Sequence, residues 1–168
     1  MNIRPVSNRK ELSQFIKLPY QHYKDDSNWI PPLRDEQRGQ FDRKRNPLLE
    51  HCRWQLYLLE ERSRVIGRIA AFYDVLAQEF WQEKVGHFGY FECIQDTKAG
   101  ELLLETAQEW LKKEGCTAMR GPWSFVSQEW GSVVEGFEPS PVIMGPYNPP
   151  YYNSMYSNFG LEKVKDLL

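Results

Sequence analysis

The sequence contains few cysteines: Cys52, Cys93 and Cys116 are the only three among 168 residues. They are odd in number and widely spaced, which excludes both a disulfide-held scaffold and a CxxC metal site. The three histidines have no metal-ligand spacing, and no serine or cysteine lies in a nucleophile-elbow pattern. These absences predict reduced thiols, no metal site and no hydrolase triad.

The sequence also lacks a long apolar run and an excess of charge of one sign. No segment approaches the ~18 apolar residues that a membrane span requires, and the first ten residues contain no apolar signal-peptide core. The 21 basic and 23 acidic residues give a net charge of −2, whereas a nucleic-acid platform normally presents a basic face. We therefore predict a cytoplasmic protein that binds neither membrane nor nucleic acid.

The composition that is present is typical of a globular protein, with 41% apolar, 14% aromatic and 26% charged residues. A chain of this length fits one domain, and no repeat or linker divides it. Hydrophobic periodicity and turn residues predict a mixed α/β (α+β) fold in which three central strands are antiparallel. The expected strands cover residues 3–7, 54–59, 65–73, 87–93, 118–120 (short and buried) and 161–168, and the expected helices cover 11–17, 34–40, 97–114 and 149–158.

Residues 121–160 hold six of the eleven prolines, five of the eleven glycines and nine of the 24 aromatic residues. This composition predicts irregular structure over most of the segment, and long irregular segments are usually functional or mobile. Its aromatic side chains fit either an acceptor pocket or the core of a loop-rich subdomain, and the six tryptophans leave a carbohydrate-type binding module open. The aromatic set comprises Trp123, Phe125, Trp130, Tyr147, Tyr151 and Tyr152.

Two short motifs carry a resemblance to a known superfamily. Tyr156-x-x-x-Gly160-Leu161 closes the predicted helix 149–158, and Gln95-x-x-Lys98-x-Gly100 lies between a strand and a long helix. With the element order, they resemble the GNAT superfamily of acyl-CoA-dependent N-acyltransferases, whose pyrophosphate loop reads Gln/Arg-x-x-Gly-x-Gly/Ala. Lys98 stands where the first glycine belongs, so its side chain either narrows the approach of a phosphate or pairs with it.

Longer strings resemble a bacterial family of GNAT-like proteins called YghO-like. The resemblance covers nearly the whole chain and implies a GNAT-like fold with a mostly antiparallel central sheet flanked by helices. Members of that family tend to be longer and favour an asparagine at the position of Ser124. We therefore expect either a missing C-terminal portion or a homodimer formed through the terminal strand edge. The shared strings are Asn28–Leu33, Gly121-Pro122, Glu135-Gly136-Phe137, Pro146–Tyr152 and Lys165-Asp166-Leu167.

The resemblance implies an enzyme that moves an acyl group from acetyl-CoA, or a longer acyl-CoA, to a small-molecule or peptide amine. Glu92 or a water would neutralise the amine, and Tyr156 would protonate the leaving thiolate. Each residue has a structural alternative, because regular alternation places Glu92 with Phe88 and Tyr90 on a strand face open to solvent, and Tyr156 fits simple packing. A catalytically inactive GNAT-derived domain that binds a ligand or partner is the second hypothesis.

The resemblance also implies the binding residues. The end of strand 87–93 and the following loop would hold the cofactor, with backbone pairing to the pantetheine amide and a helix N-terminus capped by Asp96 or Thr97 facing the phosphates. Aromatic residues of the long loop would contact the acceptor. The predicted cofactor contacts are Cys93, Ile94, Gln95, Asp96, Thr97, Lys98, Ala99, Gly100 and Asn148, and the predicted acceptor contacts are Trp123, Trp130 and Tyr147.

Overall fold

A five-stranded sheet in the order β1-β2-β3-β4-β5 organises the chain. The computed structural model describes residues 1–126, 130–138, 140–142 and 145–166. Strands β1 to β4 are antiparallel neighbours, and β5 runs parallel to β4. This arrangement confirms the predicted mixed fold and its three central antiparallel strands. The strands are β1 (Asn2–Pro5), β2 (Cys52–Glu61), β3 (Arg64–Asp74), β4 (Val85–Cys93) and β5 (Ala118–Arg120).

In the described residues, five α-helices and one 3-10 turn lie between these strands or, in the case of the last helix, after them. The long fourth helix follows its N-cap Asp96, whose carboxylate accepts a hydrogen bond from the Ala99 amide at 3.0 Å, and it ends before Gly115, which has a φ of +85°. In the described part of the chain, none of these helices is long and apolar enough to cross a bilayer. The helices are α1 (Arg9–His22), α2 (Arg34–Gly39), α3 (Val75–Trp81), α4 (Thr97–Lys113) and α5 (Tyr151–Asn158), with the 3-10 turn at Pro47–Glu50.

Apolar clusters cover both faces of the sheet. On one face, Leu103 of α4 and Tyr152 of α5 pack over Ile69 and Phe88. On the other face, Phe15 of α1 packs in a cluster with Phe72, Tyr90 and Phe125. Because helices or loops cover both faces, β3 is buried from Ile66 to Phe72 without alternation, as expected for a strand inside a three-layer structure.

A β-bulge interrupts β4 and overturns its predicted alternation. Arg68 pairs with Glu92, and Ala70 pairs with Gly89. The two residues are two positions apart on β3, whereas their partners are three positions apart on β4. Tyr90 has a φ of +50° at this point. Phe88 therefore shares a cluster with Phe91, and Tyr90 lies in the cluster on the opposite face. The extra residue reorients the end of β4, as bulges near functional sites commonly do.

Two further expectations need correction. Residues 161–166 form no strand, and residues 167–168 of the predicted strand lie outside the described residues. The segment from Glu162 to Asp166 is exposed, including Val164, so it offers no apolar face that a sheet would bury.

Strand β5 is confirmed but is not buried, since Ala118 and Arg120 are exposed. The sequence did not predict α3 or the 3-10 turn. The homodimer through a terminal strand stays a prediction.

Candidate functional site

A cavity of about 320 Å³ opens beside the second half of β4. Strand β5 pairs with β4 only from Val85 to His87, so the described residues of β5 do not cover the stretch that follows the bulge. The loop after β5 folds over this stretch instead, and the Trp123 amide donates to the Phe88 carbonyl at 2.9 Å. Gly89 is required here, because a Cβ would collide with the Trp123 carbonyl. Side chains from five parts of the fold line the cavity: Tyr23, Arg68, Glu92, Trp123, Tyr147 and Tyr156.

Glu92 lies at the buried end of this cavity. It is 9% exposed, and its Oε2 accepts hydrogen bonds from the hydroxyls of Tyr23 at 2.7 Å and Tyr152 at 2.9 Å. Its Oε1 lies 3.5 Å from Nη2 of Arg68. The alternative of a glutamate on an exposed strand face is therefore wrong. The bulge and the cover of α1 and α5 are what enclose it.

Burial controls the ionisation of this cluster. Desolvation raises the pKa of the Glu92 carboxyl, and Arg68 and the two tyrosine hydroxyls act in the opposite direction. Burial, with the nearby carboxylate second, also raises the pKa of Tyr23 and Tyr152, so both hydroxyls stay protonated and donate. A carboxylate with a raised pKa and fixed donors has the properties of a general base.

Arg68 fixes the other side of Glu92. It is 5% exposed, its Nη1 donates to the Phe15 carbonyl at 2.8 Å, and its guanidinium lies 4.8 Å from the Phe15 ring centroid. Among the described residues, its buried Nε has no hydrogen-bond partner. Arg68 was not among the predicted site residues, although a single arginine within the apolar strand from Ile66 to Phe72 is visible in the sequence.

Tyr156 of α5 lines the same cavity. Its ring packs against Phe91 and Phe88, with ring centroids 5.3 and 5.6 Å away. Desolvation, with Glu92 second, raises the pKa of its hydroxyl well above the ordinary value, so the group stays protonated, as an acid must be. The geometry therefore accommodates both predicted roles, proton donor and packing residue.

The predicted pyrophosphate loop forms the N-terminal turn of α4. Gln95, Thr97 and Lys98 are exposed, whereas Gly100 is buried in the helix. A Cβ on Gly100 would lie 2.7 Å from Sδ of Met155, so this glycine allows α4 and α5 to pack closely. The loop thus offers a positive helix end and an exposed ammonium, and its glycine serves helix packing.

The main chain of Cys93 is already hydrogen-bonded. Its amide donates to the Tyr152 hydroxyl at 2.8 Å, and its carbonyl accepts from the Tyr151 hydroxyl at 2.7 Å. His22 Nε2 lies 3.1 Å from the Tyr151 hydroxyl. At Cys93, tyrosine hydroxyls therefore already occupy the main-chain groups that were predicted to pair with the pantetheine amide. Aromatic composition alone did not reveal this role of Tyr151 and Tyr152.

The chain has relatives among curated proteins, although no protein-family model matches it. It is 36% identical to Protein YghO of Escherichia coli (strain K12), over 99% of this chain and 43% of that protein. It is 32% identical to Bacterial ceramide synthase of Caulobacter vibrioides (strain NA1000 / CB15N), over 99% of this chain and 44% of that protein. The chain thus spans less than half the length of the curated relatives it matches.

Solved structures decide the fold. An aminoglycoside acetyltransferase from an uncultured soil metagenomic sample superimposes with a TM-score of 0.57 at 13% identity, over 99% of this chain and 91% of that chain. A predicted acetyltransferase with acetyl-CoA from Clostridium acetobutylicum superimposes with a TM-score of 0.51 at 13% identity, over 99% and 93% of the two chains. This chain has the GNAT fold and is related in sequence to YghO.

The acceptor residues inferred from the GNAT resemblance lie around the cavity mouth. Trp123 and Tyr147 line the cavity, and Trp130 stacks on Trp123 at 4.9 Å with an interplanar angle of 17°. The Tyr147 hydroxyl donates to Asp26 Oδ2 at 2.5 Å. Because Trp123 also stacks on His87 at 4.4 Å, these rings form one continuous stack, in which Trp130 stays 40% exposed. The carbohydrate-type module therefore stays a prediction.

Asn148, predicted as a cofactor contact of the GNAT fold, is buried and holds the loop together. Its Oδ1 accepts from the Val133 amide at 2.7 Å. Its Nδ2 donates to the Val133 carbonyl at 3.3 Å and the Pro149 carbonyl at 3.1 Å. The side chain also borders the cavity, so any contact with a bound ligand would be shared with these loop bonds.

Proposed function

We propose that this GNAT-fold chain transfers an acyl group from a CoA thioester directly to an amine, with Glu92 as the general base. One observation carries the proposal: a buried carboxylate with a raised pKa lies at the closed end of the cavity, held by two tyrosine hydroxyls. An alkyl ammonium with an ordinary pKa is only roughly 0.1% neutral at pH 7, so attack on a thioester needs such a base.

The steps follow from this arrangement. Glu92 takes a proton from the ammonium, and the neutral nitrogen attacks the thioester carbonyl carbon to form the new C–N bond. The tetrahedral intermediate then collapses with cleavage of the C–S bond, and the Tyr156 hydroxyl gives its proton to the departing thiolate. The nitrogen loses a second proton, Tyr156 recovers one, and the reaction releases one net proton to solvent.

The CoA thioester would lie between β4 and the N-terminus of α4. The exposed Lys98 and the positive end of α4 suit the pyrophosphate, because both attract anions. A solved acetyltransferase structure of the same fold is a complex with acetyl-CoA, which supports the use of this cosubstrate. Asp96 opposes the assignment in part, since its carboxylate already caps the helix.

The cavity mouth favours an amine that carries an apolar chain. Ile30 is 60% exposed and Val142 is 79% exposed, and both border the cavity whose closed end holds Glu92. Exposed aliphatic side chains beside a polar floor match an amphiphile that enters with its amino group first. A relative is named a ceramide synthase, and a ceramide is an N-acyl amide with long hydrocarbon chains.

Calorimetric titration and thiol-release assays test the proposal. We expect micromolar binding of octanoyl-CoA, and thiol release that is faster with the long-chain amine sphinganine than with ethanolamine. Glu92→Gln should lower kcat by about a hundredfold or more while leaving the affinity for octanoyl-CoA unchanged. The matched control, Glu61→Gln, changes an exposed glutamate at the end of β2 and should retain full activity.

Two results would contradict the assignment. A folded protein that binds no acyl-CoA would exclude the transferase hypothesis for this chain. Tight binding without turnover would favour the second candidate, a GNAT-derived binding domain, which the capped helix end and the tyrosine-bonded main chain of Cys93 support.

A further inference from the structure

Three metal-binding side chains meet at the end of the β2–β3 hairpin that lies opposite its turn. His51 precedes β2, Cys52 is the first residue of β2, and Asp74 is the last residue of β3. Cys52 and Asp74 are direct partners in the strand register. One donor atom from each of the three side chains lies within 4.8 Å of the others. We propose that this cluster binds Zn²⁺, separately from the acyl-transfer site.

The backbone of this cluster and one oxygen of its carboxylate are held by hydrogen bonds. The Val75 amide donates to the His51 carbonyl at 3.1 Å, and His51 Nδ1 lies 2.8 Å from Asp74 Oδ1. The same Oδ1 accepts from the Leu76 and Ala77 amides at the start of α3. Within the described chain, the hydrogen bonds to this carboxylate all fall on Oδ1, so Oδ2 is the oxygen that can turn to a cation without loss of the helix cap.

The donor set fits zinc better than a hard cation. Zinc accepts thiolate, imidazole and carboxylate ligands, whereas Ca²⁺ and Mg²⁺ prefer oxygen alone. Ligands around a tetrahedral zinc lie about 3.5 Å apart, given bond lengths of 2.0–2.3 Å. The donor atoms of the three side chains lie within 4.8 Å of one another, so side-chain rotation can bring them to this distance. The strand pairing, which holds the Cα atoms, does not have to change.

Binding would convert the Cys52 thiol to a thiolate. The side chain is 1% exposed, so its sulfur lies out of contact with bulk solvent. A zinc ion replaces the thiol proton, the S–H bond breaks, the Zn–S bond forms and the proton leaves to solvent. The metal would thus compensate the negative charge that Asp74 brings to this buried sulfur.

A second cavity borders one of the three proposed ligands, Asp74. It has a volume of about 330 Å³ and is bordered by Asp74, Glu83, His87, Arg120 and Trp123. A zinc held by three protein ligands usually takes a water or another ligand in its fourth position. Asp74 is the ligand that borders this cavity, so the metal and its fourth ligand would enter on that side.

Titration of the metal-free protein with Co²⁺ tests the proposal, because Co²⁺ replaces zinc and reports thiolate ligands by their charge-transfer band. We expect saturation at one Co²⁺ per chain, the visible bands of a four-coordinate ion, and full displacement by one Zn²⁺. Cys52→Ser should abolish the charge-transfer band, and His51→Gln should weaken binding at least tenfold.

Asp74→Asn keeps the test decisive if a change at the buried Cys52 prevents folding. Asparagine is as good a helix N-cap as aspartate, so this variant should fold while its Co²⁺ affinity falls at least tenfold. Cys116→Ser is the matched control, since it removes a different buried thiol and should retain the band. No thiolate band in the parent protein, or a band that survives Cys52→Ser, would overturn the proposal.

Discussion

The Glu92 cavity and the loop that begins α4 are built in different ways. The cavity takes Tyr23 from the C-cap of α1, Arg68 from β3 and Tyr152 from α5, and it buries all three around one carboxylate. The loop takes its groups from consecutive residues, 94–100, and leaves Lys98 exposed. A substitution at Tyr23, Arg68 or Tyr152 should therefore change stability and chemistry together, whereas one at the exposed Lys98 should change binding alone.

The cavity and the loop also differ in how much of each a short sequence motif can indicate. In the loop, Asp96 caps α4 and Gly100 makes room for Met155, so both residues have local structural roles that any helix of this kind could require. In the cavity, Tyr23 and Tyr152 reach Glu92 across 69 and 60 residues of sequence and form no motif at all. The more specific arrangement is the one that the sequence does not display.

The largest expected effect follows from Arg68→Met, which leaves the Glu92 carboxylate buried without its cation. Removing one partner of a buried ion pair costs about 3–5 kcal/mol, and urea unfolding at pH 8 should show a loss of this size. In the Glu92→Gln background the same change should cost much less, because no carboxylate charge remains to be compensated. Arg45→Met, which removes an exposed pair with Asp35, is the control and should change stability far less.

The pH dependence of this variant has a defined sign. Burial raises the pKa of Glu92, and Arg68 lowers it, so Arg68→Met should raise it further. A carboxyl with a folded-state pKa above its unfolded value binds a proton that the unfolded chain has released, so stability falls as pH rises through that interval. Unfolding at pH 5 and pH 8 should show a steeper loss in Arg68→Met than in the parent. Equal slopes would mean that Arg68 does not act on Glu92.

Glu92 and Arg68 illustrate how much of the site could be predicted. The position of Glu92 near the end of a strand is visible in the sequence, and its choice as a base rested on a family resemblance. Its burial depends on the bulge at Tyr90, and a single φ of +50° leaves no mark in a pattern of alternating residues. Arg68 could have been noticed as a lone charge in an apolar strand, but its partner across the sheet could not.

The fold itself was more accessible than the site. Regular periodicity and a complete set of helix signals predicted α4 within one residue, because capping and packing act within one segment. Residues 161–166 were misassigned for the opposite reason: whether a short segment joins a sheet depends on the face it would bury, and this one buries none.

Tyr156→Phe should have a smaller effect that is confined to chemistry. Phenylalanine keeps the ring contacts with Phe88 and Phe91, so stability and octanoyl-CoA affinity should be unchanged. Loss of the hydroxyl should lower kcat by roughly tenfold, less than is usual for proton transfer, because a thiolate is a comparatively good leaving group. Thiol-release kinetics and calorimetry measure the two quantities. If affinity and stability fall along with kcat, Tyr156 serves packing and not proton transfer.

The smallest effect is expected from Lys98→Met in the α4 loop. The side chain is exposed, so its contact with a phosphate is screened by water and salt, and the loss should weaken CoA binding by about two- to fivefold. The difference from the parent should shrink as salt is added, and Lys112→Met at the other end of α4 should show none of it. Calorimetry at two ionic strengths measures this. Tighter binding would instead mean that Lys98 obstructs the phosphate where the GNAT motif has glycine. The loop would then lower the affinity for CoA, whereas the cavity residues raise the activity.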